Sequence, residues 1–306
     1  MSSRSHLVSR RRFLGGALAT SASLLAVRKM SAAEPPAEAK RYVLMSDTHV
    51  NADPKKLGGR EQTNMFDNLL AASKQTVALD PKPAAVIMHG DEGFLYGAPG
   101  EYVTVAKAIA PITNAGIPVH MAMGNHDNRS SLWKQFPPKY KEDKRVPGRH
   151  ISVIETPFAN WYVIDTLGII NASGGKMGKK QVDYILKEID AHKDKPAIVS
   201  SHHQPWEAKW SDIAQGILDG ERFTKEIVKR RNVKVWFHGH LHLWRVQKMD
   251  DLPVIGLPAL GWQLQKGQTQ AYVIADLAKS GIKLQVQCLK TDHPRHDKMV
   301  DLKWRA

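Results

Sequence analysis

Five short apolar runs in this chain each end in the same way, in a cluster of Asp, Asn and His. Arg41-Tyr42-Val43-Leu44-Met45 leads into Ser46-Asp47-Thr48-His49, and Ala84-Ala85-Val86-Ile87-Met88 into His89-Gly90-Asp91. Ile117-Pro118-Val119-His120-Met121 precedes Gly124-Asn125-His126-Asp127, and Ala197-Ile198-Val199-Ser200 precedes Ser201-His202-His203-Gln204-Pro205. The fifth run, Val233-Lys234-Val235-Trp236, ends in Phe237-His238-Gly239-His240-Leu241-His242. Runs of this length and apolarity read as strands buried on both faces. Polar ligands recurring at their carboxyl ends fit an open α/β sheet, where binding sites lie beyond those ends.

The segments between the runs carry helical spacing. Glu61 to Leu79 sets Met65, Phe66, Leu69, Leu70 and Val77 on one face, and Gly178 to Ala191 does the same with Val182, Ile185, Leu186 and Ile189. Further helices are expected over Glu101 to Thr113 and Gly220 to Arg231, and strands over His150 to Glu155 and Trp161 to Asp165. Beyond His242 the alternation gives way to short strands near Leu243 to Lys248, Val254 to Leu257, Ala271 to Ala275 and Lys283 to Leu289. With no internal repeat and no second linker, residues 41–306 read as one α/β domain, a mixed two-sheet sandwich flanked by helices.

Residues 1–33 read as an export signal and not as part of the fold. Ser9-Arg10-Arg11-Arg12-Phe13-Leu14 has the twin-arginine pattern, an apolar small-residue stretch follows to Val27, and Ser31-Ala32-Ala33 suits cleavage. The apolar stretch is too short for a permanent membrane anchor. The expected address is periplasmic or secreted, with the twin-arginine translocation machinery as a partner during export. That route carries proteins already folded, so a metal can be loaded beforehand. Residues 34–40, rich in Ala, Pro and Glu, form a linker. Losing residues 1–33 removes six of the 44 Lys and Arg and none of the 30 acids, so the net charge falls from +14 to +8. Without a basic block or nucleic-acid module, that surplus suits small anionic substrates and no nucleic acid. The single Cys288 forms no intrachain disulfide, so stability rests on the core.

Mixed oxygen and imidazole donors without thiolates suit Mn, Fe or Zn better than a structural cysteine zinc site or calcium. The ordered set Asp-x-His, Gly-Asp, Gly-Asn-His-Asp, His-His-x-Pro and Gly-His-x-His resembles the calcineurin-like metallophosphoesterase family, over roughly Arg41 to Leu289. The resemblance implies a four-layer α/β/β/α sandwich and two divalent or trivalent transition-metal ions. One ion would be held by Asp47, His49, Asp91 and His242, the other by Asp91, Asn125, His202 and His240, with Asp91 bridging. It also implies phosphate mono- or diester hydrolysis by a metal-bridging hydroxide, with His126 as leaving-group acid and the small bacterial phosphodiesterases as nearest kin. A non-catalytic periplasmic metal- or phosphate-binding protein is the alternative.

Several residues stay open at this level. Arg129 is either a phosphate contact or a helix-capping arginine, and the basic stretch Asn128 to Arg149 either a solvated loop or a lid. Of the adjacent pair, only one can enter the site if the strand continues, because neighbours face opposite ways, and the resemblance selects His202 over His203. His89, His120, His150, His192 and His238 match no ligand position, and Trp133, Trp206, Trp210 and Trp262 lie near candidate rim loops. Phe94 stands where purple acid phosphatases carry a metal-binding Tyr and protein Ser/Thr phosphatases an Asp, so neither subclass fits.

Overall fold

The computed structural model describes residues 39–136, 143–206 and 215–306. The residues of the expected export signal, Lys139, Lys141, Glu142 and Trp210 lie outside them. The elements run in order β1 (Lys40–Met45), β2 (Leu57–Gly58), β3 (Thr63–Asn64), α1 (Met65–Val77), β4 (Ala85–Met88), α2 (Pro99–Ala108) and α3 (Ala110–Asn114). Next come β5 (Val119–Met121), α4 (Arg129–Gln135), β6 (Ser152–Glu155), β7 (Asn160–Val163), α5 (Lys179–Ala191), β8 (Ala197–Ser201) and α6 (Glu221–Lys229). The chain closes with β9 (Val233–His238), β10 (Arg245–Met249), β11 (Leu252–Gly256), β12 (Ala271–Ala278), β13 (Gly281–Cys288) and β14 (Met299–Lys303).

Two six-stranded sheets form, in the orders β14-β13-β12-β1-β4-β5 and β10-β11-β9-β8-β7-β6. In the first, β1, β4 and β5 are parallel; in the second, β7, β8, β9 and β11 are parallel. Antiparallel strands complete one edge of the first sheet, through β12, β13 and β14, and both edges of the second, through β10 and β6. The sheets face each other across a core that includes Tyr42, Leu44, Ile87, Trp161, Ile198, Val235, Phe237 and Val273. The other face of the first sheet is covered by α1 to α3 through Leu69, Tyr102, Val105 and Ile112. The other face of the second is covered by α5 and α6 through Ile185, Ile189, Phe223 and Ile227. The expected four layers are present, each central strand buried on both sides as its unbroken apolarity requires.

Local departures have physical causes. The expected helix over 101–113 is two helices, broken at Ile109 ahead of Pro111, which sits in the first turn of α3 where its missing N–H costs nothing. The 128–149 stretch contains α4, capped by the Asn128 side chain accepting from the Ser131 N–H. Its described arginines are engaged elsewhere than in a lid. Arg145 pairs with Asp143 at 2.7 Å and lies over the Tyr184 ring, and Arg149 donates to the carbonyls of Leu167 and Lys176. Among the described residues, no helix is long and apolar enough to cross a membrane.

Candidate metal centre

The carboxyl ends of β1, β4, β5, β8 and β9 converge on one cleft of about 280 Å³, lined by His49, Asp91, Asn125, His126, Asn171, Ser173, His240, His242, Trp262 and Leu264. The chain must turn sharply after each strand to aim its side chains inward. Five site residues pay for this with a left-handed backbone: Asp47, His49, Asp91, His240 and His242 all have φ between 48° and 65°. Such conformations are costly for non-glycine residues and cluster at functional sites. Gly239 has a different role from the one its turn suggests. Its φ is not left-handed, but a Cβ there would collide with Ser46 Oγ and lie 2.7 Å from Asp47 Oδ2, so it permits close approach of two strand ends.

The imidazoles are oriented by main-chain carbonyls. Nδ1 of His49 lies 3.2 Å from the Phe94 oxygen, that of His126 3.0 Å from Leu95, that of His202 2.8 Å from His89, and that of His242 2.6 Å from Trp262. A carbonyl that accepts an Nδ1–H turns Nε2 toward the cleft, the nitrogen that would bind a metal once it carries no proton. On one side, Nε2 of His49 and of His242 are 3.1 Å apart, with Asp47 Oδ1 3.3 Å from His242 Nε2. On the other, His202 Nε2 is 3.2 Å from both Asp91 Oδ2 and Asn125 Oδ1. Asp91 Oδ2 also lies 3.7 Å from His49 Nε2, so its carboxylate reaches both groups.

Two imidazole nitrogens facing each other at that distance, beside two buried carboxylates and with no Lys or Arg among the described residues of the lining, suit a cation. Asp47, His49 and His242 form one set with donor atoms within 4.8 Å of one another, and Asp47, Asp91 and His202 another. The titration behaviour points the same way. Burial pushes His49 and His240 down to about 3, so both are neutral donors. Burial also opposes ionisation of Asp47 and Asp91, yet His242 beside the first and His202 and His126 beside the second more than offset it and keep both carboxylates ionised. Burial would lower His202, but Asp91 and Asp47 overcome it and hold the imidazolium at about 9, a proton standing where a cation would balance the charge. The residues therefore fit a two-metal centre.

All seven ligands expected from sequence are brought together, and His126 joins them at the rim. Other expectations change. β8 ends at Ser201, so strand alternation does not separate His202 from His203; both are fully buried in one imidazole cluster. Arg129 is no phosphate contact. It forms two bonds to buried Asp165 at 2.6 and 2.8 Å and a third to the Leu167 carbonyl. Breaking a buried pair costs roughly 3–5 kcal/mol, so Arg129→Ala is expected to lower thermal stability by about 3 kcal/mol and leave KM for a phosphate ester unchanged. A raised KM with an unchanged melt would return Arg129 to the substrate.

The remaining histidines and tryptophans mostly support the core. His89 contacts the Met45 carbonyl and Ser200, His150 bonds Trp133 Nε1 at 3.0 Å, and Trp206 packs on the outer core. Trp262 is the exception: it stacks on His49 with centroids 4.0 Å apart and lines the cleft. Phe94 turns its ring edge-on to Trp262 at 5.6 Å and faces a neighbouring cavity, and Tyr96 is exposed, so neither is a ligand. Sequence reading missed Asn171 and Ser173, whose loop is tied down by the Asn171 N–H donating to the Asn125 carbonyl at 2.6 Å. It also missed the work of Asp127. This buried carboxylate accepts from the N–H groups of Asp91, Glu92, Gly93 and Gly124 and from the Tyr102 hydroxyl, locking the second and third motifs together.

The family model for calcineurin-like phosphoesterases matches residues 40–243, and the chain belongs to that family. It is 24% identical over 162 residues to a "probable cyclic nucleotide phosphodiesterase" of Psychrobacter arcticus, a match covering 50% of this chain and 56% of that protein. It is 23% identical over 204 residues to a "probable glycerophosphodiester phosphodiesterase" of Arcobacter nitrofigilis, covering 65% and 71%. The fold is similar to that of a dimetal phosphatase from Danio rerio, with a TM-score of 0.67 at 14% identity, over 88% of this chain and all of the other.

Proposed function

We propose that this protein is an exported, metal-dependent phosphodiesterase. The observation that carries the reading is the convergence of imidazole nitrogens and buried carboxylates on one cleft, with His126 at its edge. Asp47, His49, Asp91 and His242 would hold one ion, and Asp91, Asn125, His202 and His240 the second, drawn from Mn, Fe and Zn. When bound, the pair would neutralise phosphate oxygens and acidify the attacking water. The protein's own residues do the rest. The Leu95 carbonyl holds the His126 ring so that Nε2 stands 4.0 Å from Asp91 Oδ2 and open to the cleft, ready to protonate a leaving alkoxide. Trp262, stacked on His49, forms one wall of the cleft.

A diester is favoured over a monoester by what adjoins the cleft. A second cavity of about 410 Å³, lined by Gly59, Arg60, Phe94, Leu95, Trp262, Gln263 and Leu264, shares Trp262 and Leu264 with it. It has the size of a small-molecule site and a largely apolar wall, suited to a second ester substituent. The names of the relatives, a cyclic nucleotide and a glycerophosphodiester enzyme, agree with diester chemistry. The test is turnover by the metal-reconstituted protein on matched diesters and monoesters. Preference for diesters is expected; absence of turnover on every ester would favour a binding protein. Residues 1–33 support export, so replacing Arg10 and Arg11 with Lys is expected to strand the precursor in the cytoplasm. Undiminished export of that variant would refute the signal.

A further inference from the structure

His203 is the imidazole of the cluster that neither lines the cleft nor belongs to the seven proposed ligands, yet it is fully buried against two of them. Its ring centroid is 4.8 Å from that of His202 and 4.6 Å from that of His240. The three residues each offer a ring nitrogen within 4.8 Å of the others. Nε2 of His203 is buried without a hydrogen-bond partner, and so is Nε2 of His240. The His240 ring lines the cleft, and its Nε2 is buried. On its far side, His203 is anchored. Nδ1 lies 2.9 Å from Thr166 Oγ1, and the His203 main-chain N–H reaches the same hydroxyl at 3.3 Å. Gly175 makes room for the ring, since a Cβ there would stand 2.7 Å from His203 Cγ.

Two neighbouring imidazoles that both leave a buried Nε2 unpaired incur a desolvation cost with no return unless something joins them. We propose that His203 is the positioning residue of His240. With His240 held to a cation through Nδ1, its Nε2–H donates to the bare Nε2 of His203, whose Nδ1–H donates in turn to Thr166 Oγ1. The first of these bonds is not made in this structure and needs a rotation of the rings to close. The chain Thr166–His203–His240 then fixes the tautomer and aim of a ligand as main-chain carbonyls do for His49, His202 and His242. It explains both orphaned nitrogens at once. The inference rests on the reading of His240 as a metal ligand.

The test is calorimetric titration of Mn²⁺ or Zn²⁺ into the chelator-stripped full chain, with thermal melts of the stripped forms as a control for folding. Loss of an outer partner of a metal-bound histidine typically costs ~10–100-fold in affinity. His203→Leu is expected to weaken one of the two bound equivalents by about that factor and to spare the other. His203→Gln, which restores an acceptor, recovers most of the loss, and Thr166→Val shows a smaller loss at the same equivalent. A purely structural role would lower the melt of stripped protein and affect both equivalents alike, in His203→Gln as well. Unchanged affinity in His203→Leu overturns the proposal, as does a loss equal to that of His240→Ala, which would make His203 a ligand itself. If the unaltered chain binds neither ion, the reading of the metal centre fails first and takes this proposal with it.

Discussion

Asp91→Ala is expected to abolish turnover and to lower bound metal below two equivalents per chain in the same preparation. The reason is geometric. Asp91 Oδ2 lies 3.2 Å from His202 Nε2 and 3.7 Å from His49 Nε2, so one carboxylate serves both halves of the centre. Its Oδ1 also accepts from the His126 N–H at 2.8 Å, and the close packing of Gly124 against it fixes its position. Removing it takes a ligand and a negative charge from each ion, so the loss is expected to exceed the ~10–100-fold typical of an outer partner. Asp91→Asn keeps the shape and removes the charge. Full metal content in both variants would show that Asp91 does not bridge.

The second large effect separates proton transfer from metal binding. His126→Ala is expected to lose ~10²–10⁴-fold in kcat on esters with alkoxide leaving groups, the usual worth of a general acid. On p-nitrophenyl esters, whose leaving group departs without a proton, the loss is expected to be far smaller. Bound metal stays near two equivalents, because His126 Nε2 stands 4.0 Å from Asp91 Oδ2 and the neighbouring Asn125 is the proposed ligand. An equal loss on both ester classes would assign His126 to phosphate binding, and loss of metal would make it a ligand.

The proposed ligands could be picked out because each sits within a few residues of a strand end that its own apolar run announces. Asp47 follows β1 by two positions and Asp91 follows β4 by three, so local sequence reports position in space. What surrounds them was not legible. Asn171, Ser173 and Leu264 reach the cleft from loops whose sequence has no periodicity, and their placement depends on which strands neighbour each other. Arg129 stayed open between a phosphate contact and a helix cap because its partner, Asp165, is 36 residues away. β14 was missed because an edge strand with alternating exposure lacks an apolar run, and the two-residue strands β2 and β3 are too short to carry a pattern. The pairing of His203 with Thr166 was hidden by a strand that stops one residue before the alternation rule would apply.

Diester hydrolysis followed while Mn²⁺, Fe²⁺ or Zn²⁺ is titrated into chelator-stripped protein tests the central claim most directly. The account predicts negligible turnover in the stripped chain and a rise that reaches its plateau at two equivalents per chain. Full turnover without metal, or none at two equivalents of any of the three ions, would contradict it.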